Sequence, residues 1–154
     1  TPQGRANPEG IPYLYLSNDK ETCITEISPE INSLVSVGTF KFKESATIVD
    51  ISSKYLKSPF VYGKNFPEIY KHYNFIKYIA KKISEPIDNS IDYLPTQYLC
   101  ELIKSYGYDG ILFKSSLDDG KNLTMFFEKF TLCEYVDLYR IQKIKYDYEL
   151  IANS

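Results

Sequence analysis

Between Gly4 and Ile27 the chain reads GRANPEGIPYLYLSNDKETCITEI, and this order of residue types leaves little choice of local structure. Arg5 stands among Gly4, Asn7, Pro8 and Gly10, residues that favour turns and let the backbone come close to a ligand. From Pro12 to Ser17 the side chains alternate, with Tyr13 and Tyr15 on one side of a strand and Leu14 and Leu16 on the other. Asn18 and Glu21 then have capping-box spacing, which predicts a helix carrying Thr22, Cys23, Glu26 and Ile27. At about 100° per residue, Glu26 falls beside Cys23 at the border of the apolar face made with Ile24 and Ile27, one turn above Thr22. A carboxylate in that place is half-desolvated and directed inward. A cationic turn, a tyrosine strand and an inward carboxylate in one short unit point to a site for a phosphorylated nucleoside.

The rest of the chain interleaves strands and helices, which predicts an α+β domain. Leu34 to Phe42 and Ala46 to Ile51 read as strands, with Gly38 as the position of a bulge. Pro67 opens an amphipathic helix in which Ile69, Tyr73, Ile76, Ala80 and Ile83 form the apolar stripe and Lys71, Asn74, Lys77 and Lys81 a solvated face. After a loop from Pro86 to Tyr93, a further helix starts at Pro95 and is closed by Gly107. Ile111 to Phe113, Leu123 to Phe127 and an alternating run from Glu134 to Tyr148 complete the strands.

Composition bounds the function classes. A length of 154 residues suits one domain with a substantial core. Lys and Arg number 18 against 20 Asp and Glu, and the resulting net charge of −2 argues against general nucleic-acid binding. The chain has 15 Tyr and 9 Phe but no Trp, so most aromatic rings must serve as core or rim packing. Cys23, Cys100 and Cys133 are widely spaced among apolar neighbours, which predicts unpaired buried thiols and a reducing, cytoplasmic setting. No apolar run reaches the length of a membrane span, so no membrane partner is expected.

Several chemistries drop out. The glycine positions contain no GxGxxG and no Walker loop, so a dinucleotide would not sit in a Rossmann crevice. Without CxxC, HExxH or a His-Cys cluster no metal site is expected. His72, the only histidine, falls in the amphipathic helix between Lys71 and Tyr73, which removes a Ser-His-Asp mechanism.

The opening segment resembles the RES domain family, named for an arginine, a glutamate and a serine, whose pattern GR-x-NP-x-G-x-P-x-LYL(S/A), followed by T and E, is matched almost letter for letter. YLPTQYLCELIKSYGYDGILFKSS and the following NLTMFF are similar to the family's later block, in which a helix leads through Gly107 and Asp109-Gly110 into a strand that delivers a serine. The resemblance runs from about Gly4 to Phe127 and makes Ser115, ahead of its neighbour Ser116, the third letter of the name. It implies an ADP-ribosyltransferase-like fold, a mixed β core with flanking helices, that consumes NAD as substrate with no prosthetic group. Members usually carry a further segment with another arginine before the GR-x-NP motif. The expectation is therefore a single RES domain over residues 1–154, cut from a longer chain.

The resemblance also implies roles. Glu26 stabilises the oxocarbenium-like ribosyl cation that forms as nicotinamide leaves. Arg5 binds the diphosphate through its planar guanidinium and helps keep Glu26 ionised. Tyr15, with Tyr13 and Asn7, lines the substrate, Ser115 orients the amide or a ribose hydroxyl, and Asn122 is a turn residue with a ligand contact. The acceptor is left open by the residues: inorganic phosphate (an NAD phosphorylase), water (an NAD glycohydrolase) or a protein side chain (an ADP-ribosyltransferase). A module that senses a nucleotide without turnover is the alternative from another class. The expected setting is a bacterial toxin-antitoxin or defence system, with an antitoxin or regulatory domain as partner.

Overall fold

A computed structural model describes residues 4–52 and 93–145, together with Tyr78, Lys82, Leu150 and Ile151. His72 and the apolar stripe of the helix expected from Pro67 lie outside the described residues. In chain order the elements are β1 (Leu14–Ser17), α1 (Lys20–Glu26), β2 (Leu34–Phe42), β3 (Ile48–Asp50), α2 (Leu94–Ser105), β4 (Gly110–Lys114), β5 (Lys121–Met125), one turn of 3-10 helix (Glu128–Phe130) and β6 (Thr131–Arg140). The architecture is α+β, as the interleaved pattern predicts.

Among the described residues the strands form a four-stranded sheet of order β1-β5-β4-β3 and a two-stranded ribbon of β2 and β6. β1, β5 and β4 pair antiparallel, and β3 joins β4 in parallel. Cross-strand partners share a face, so the register Tyr15↔Thr124↔Ile111↔Val49 and, two residues along, Ser17↔Asn122↔Phe113 define one side of the sheet. That side carries the core at one end and polar groups at the other. Ala6, Tyr13, Ile51, Leu99, Cys100, Ile111, Phe113 and Phe126 make the core cluster, with α2 laying Leu99 and Cys100 onto the sheet. α2 forms where the sequence asks for it: Pro95 stands in its first turn and Gly107, at φ +85°, takes the left-handed conformation just past its end.

Three local expectations are corrected. α1 is capped by Asp19, whose Oδ1 accepts the Thr22 N–H at 2.7 Å, and not by Asn18. Asn18 is instead engaged with β5, its N–H donating to Lys121 O at 3.0 Å and its Oδ1 accepting from Lys121 N at 2.5 Å. The irregularity in the ribbon falls between Thr39 and Phe40 and not at Gly38. Gly38 instead makes room for the ring that follows, since a Cβ there would stand 2.9 Å from Phe40. β6 runs from Thr131 to Arg140, not from Glu134 to Tyr148, because its length follows the partner strand: Arg140 is opposite Leu34, where β2 begins.

Candidate functional site

At the polar end of the sheet face, Glu26 is the residue on which three elements converge. It is the last residue of α1, and its Oε1 accepts two hydrogen bonds of 2.6 Å, from Ser115 Oγ and from Asn122 Nδ2. Asn122 is in turn oriented by Ser17 on β1, whose hydroxyl donates to Asn122 Oδ1 at 2.7 Å. No hydrogen bond reaches Glu26 Oε2 among the described residues, so one carboxylate oxygen is held and the other is not. Ser115, just beyond β4, is buried whereas Ser116 is exposed. The backbone N–H groups of Leu117 and Asp118 donate to Ser115 Oγ at 3.1 and 3.2 Å. With its acceptor positions filled in this way, the Ser115 hydroxyl directs its proton to Glu26.

The second half of the site is the loop that carries Arg5. Tyr15 Oη donates to Asn7 Oδ1 at 2.7 Å and accepts the Ala6 N–H at 3.0 Å, so the phenol ties the loop to β1. Tyr15 is 45% exposed even though its hydroxyl makes these two bonds. Burial pushes the Tyr15 phenol above its ordinary range, opposed by the backbone N–H groups of Ala6 and Asn7 and by the positive charge of Arg5. Gly4 completes the loop, because a Cβ there would meet Asn7 Oδ1 at 2.4 Å and Tyr15 Oη at 2.8 Å. The two halves meet along β1: Tyr15 and Ser17 are two residues apart on the same face, roughly 6.6 Å of strand.

Two residues that the sequence reasoning passed over hold the Arg5 loop from α2. Thr96 Oγ1 donates to Arg5 O at 2.6 Å, and Gln97 Nε2 donates to Gly4 O at 2.9 Å and to Asn7 O at 3.1 Å. Both side chains are buried, and a buried Thr-Gln pair in the first turn of an otherwise apolar helix face was the available signal. Tyr13, expected beside the ligand, stands in the core with its hydroxyl donating to Glu101 and its ring 5.0 Å from Phe126. Burial first, and then Glu101, push its phenol far up.

A family model described as RES domain matches residues 1–148 of the 154. The chain belongs to the RES domain family. No curated protein and no solved structure gives a match.

In this RES domain Glu26 and Ser115 are hydrogen-bonded to each other, and Arg5 stands on the loop that Tyr15 ties to β1. Cys23 neighbours Glu26 on α1, but burial, followed by the negative charges of Asp19 and Glu26, pushes its thiol up. A protonated thiol is a poor nucleophile. Cys100 is a core residue, its thiol pushed up to about 12 by burial and then by Glu101. Among the described residues no group of three or more His, Cys, Asp or Glu could hold a metal ion, and no helix is long and apolar enough to cross a membrane. The arrangement offers one carboxylate anchored on the sheet face and one cationic residue on a loop tied to the same strand.

Proposed function

We propose that this RES domain consumes NAD by cleaving the bond between nicotinamide and ribose, by phosphorolysis or hydrolysis, on an ADP-ribosyltransferase-like scaffold. The observation that supports this reading best is the Glu26 carboxylate, anchored at Oε1 by Ser115 and Asn122 at 2.6 Å each. A carboxylate fixed in this way needs no reorganisation when charge develops in front of it, which is where electrostatic catalysis gains most. As the glycosidic bond breaks, its electron pair leaves with the nicotinamide ring nitrogen, and the ribose carbon and ring oxygen share the positive charge that Glu26 stabilises. An oxygen of inorganic phosphate, or of water that then gives up a proton to solvent, supplies the pair for the new bond at that carbon. Arg5 pairs with the diphosphate, and the Tyr15 ring stacks on the flat part of the ligand, with Asn7 and Asn122 fixing the groups around it. Tyr13, engaged by Glu101, has no part in this reading.

Its biological counterpart is growth arrest through loss of NAD, restrained by an antitoxin or a regulatory domain that covers the pocket mouth near Arg5 and Tyr15. Free nicotinamide measured after incubation with NAD, with and without phosphate, tests the chemistry. Release that requires phosphate indicates phosphorolysis, release without it hydrolysis, and a mass increase on a target protein indicates transfer. No release under any condition would refute the cleavage. Cellular NAD followed for minutes after induction, beside Glu26→Gln, tests the arrest: arrest with unchanged NAD would refute it.

A further inference from the structure

Thr22 and Gly120 stand close together between the helix that carries Glu26 and the turn that carries Ser115. A Cβ built on Gly120 would stand 1.9 Å from Thr22 Oγ1, 2.8 Å from Thr22 Cβ and 2.8 Å from Asp19 Oδ2. Real Cβ atoms do not approach other heavy atoms so closely, so the position admits glycine for reasons of space. Thr22 is 1% exposed, and its hydroxyl reaches Asp19 Oδ2 at 2.9 Å and Asp118 Oδ2 at 3.4 Å. Asp19 caps α1 and Asp118 belongs to the turn, so one side chain touches both partners of the seam. On the turn side, Gly120 O accepts the Ser115 N–H at 3.0 Å. That bond closes the same turn whose Leu117 and Asp118 N–H groups orient the Ser115 hydroxyl. On the helix side, Glu26 follows Thr22 by one turn on the same face.

We propose that Thr22 and Gly120 are positioning residues that set α1 against the β4–β5 turn, so that the Ser115 hydroxyl and the Glu26 carboxylate meet with one carboxylate oxygen left toward the substrate. The inference rests on the NAD-cleaving reading for its catalytic consequence, but the geometry it describes can be tested without it. A methyl group at position 120 must push the turn off the helix, and Ser115 moves with the turn. A misplacement of about 1 Å at reacting groups costs on the order of 10²-fold in rate. The Arg5 loop, held by Thr96 and Gln97 on α2, is tied to other elements and should keep its place.

The test is Gly120→Ala, with and without Thr22→Ala, read by nicotinamide release, by NAD binding and by a crystal structure of each variant. Gly120→Ala should lower kcat on the order of 10²-fold while NAD affinity stays within a factor of about three, and Ser115 Oγ should lie beyond hydrogen-bond distance of Glu26. Adding Thr22→Ala removes the atom with the closest approach but keeps a Cβ at 2.8 Å and takes away the hydroxyl, so the double variant should not regain activity over Gly120→Ala alone. Thr22→Val keeps the shape and loses only the hydroxyl; it carries the test if Gly120→Ala does not fold, and should also lower kcat more than it weakens NAD binding. An unchanged kcat in the folded single variants, or recovery of wild-type activity in the double, would overturn the inference. If the wild-type protein releases no nicotinamide, the NAD-cleaving reading fails, and an intact Ser115–Glu26 bond in Gly120→Ala would overturn the positioning role by itself.

Discussion

Ser115 and Glu26 are 89 residues apart in the chain and 2.6 Å apart in the fold. The serine hydroxyl donates to the carboxylate while accepting two backbone N–H groups from its own turn, so the pair has a defined proton direction. The serine is thus an orienting group for the glutamate.

Glu26→Gln should fold like the wild type, because the glutamine carbonyl can accept the same two hydrogen bonds from Ser115 and Asn122. It should lose most NAD cleavage, about 10²–10³-fold, since the shape is kept and the charge removed. The rate of nicotinamide release by the folded variant checks this, and near-normal turnover would remove Glu26 from the mechanism.

Arg5→Ala should weaken NAD binding by about 10–100-fold, the range for a charge-assisted hydrogen-bonding pair. Its backbone carbonyl remains held by Thr96, so the loop itself should stay in place. Arg5→Lys should rescue poorly, because an ammonium group cannot present the two parallel donors of a guanidinium. Calorimetric titration of NAD into Glu26→Gln, with and without each Arg5 change, measures the effect; equal affinities would mean that Arg5 does not touch the diphosphate.

Gln97→Leu should raise KM for NAD more than it lowers kcat. The change withdraws both amide donors from Gly4 and Asn7 and leaves their carbonyl oxygens without those partners, at a cost of about 1–3 kcal/mol in stability. Urea denaturation beside steady-state kinetics tests both parts. A stability loss with unchanged KM would show that α2 supports the fold but does not set the Arg5 loop.

The Cys100 thiol gives a pH dependence of stability with a definite sign. Its ordinary value of 9.0 is raised to about 12 in the folded protein, first by burial and then by Glu101. The unfolded chain therefore loses this proton first, and the stabilisation, complete below pH 9, is lost progressively as pH rises toward 12. Tyr13 and Tyr15, both raised from 10.0, add in the same direction at higher pH. Urea midpoints at pH 8 and pH 10 should fall for the wild type and fall less for Cys100→Ala. Equal slopes in the two proteins would show that Cys100 is not the group involved.

The sequence by itself determined the elements and the chemistry of their side chains. Alternation in Pro12 to Ser17 and Leu34 to Phe42, a proline at the start and a glycine at the end of α2, and the GR-x-NP turn are local signals, because turn, strand and helix preferences act between near neighbours. They led to Glu26 at the inner border of its helix and to Arg5 in a tight loop. Tertiary structure decided what those groups meet. Asn18 yielded the cap to Asp19 because β5 claimed it, β6 stopped where its partner strand begins, and Tyr13 went to Glu101 while Tyr15, on the same face, went to Asn7. Ser115 was separated from Ser116 by the turn that wraps it, and Asn122 became a donor to Glu26 through the register of β1 with β5. Register and close approach, such as Gly120 against Thr22, are set by packing between distant segments, and no spacing within either segment encodes them.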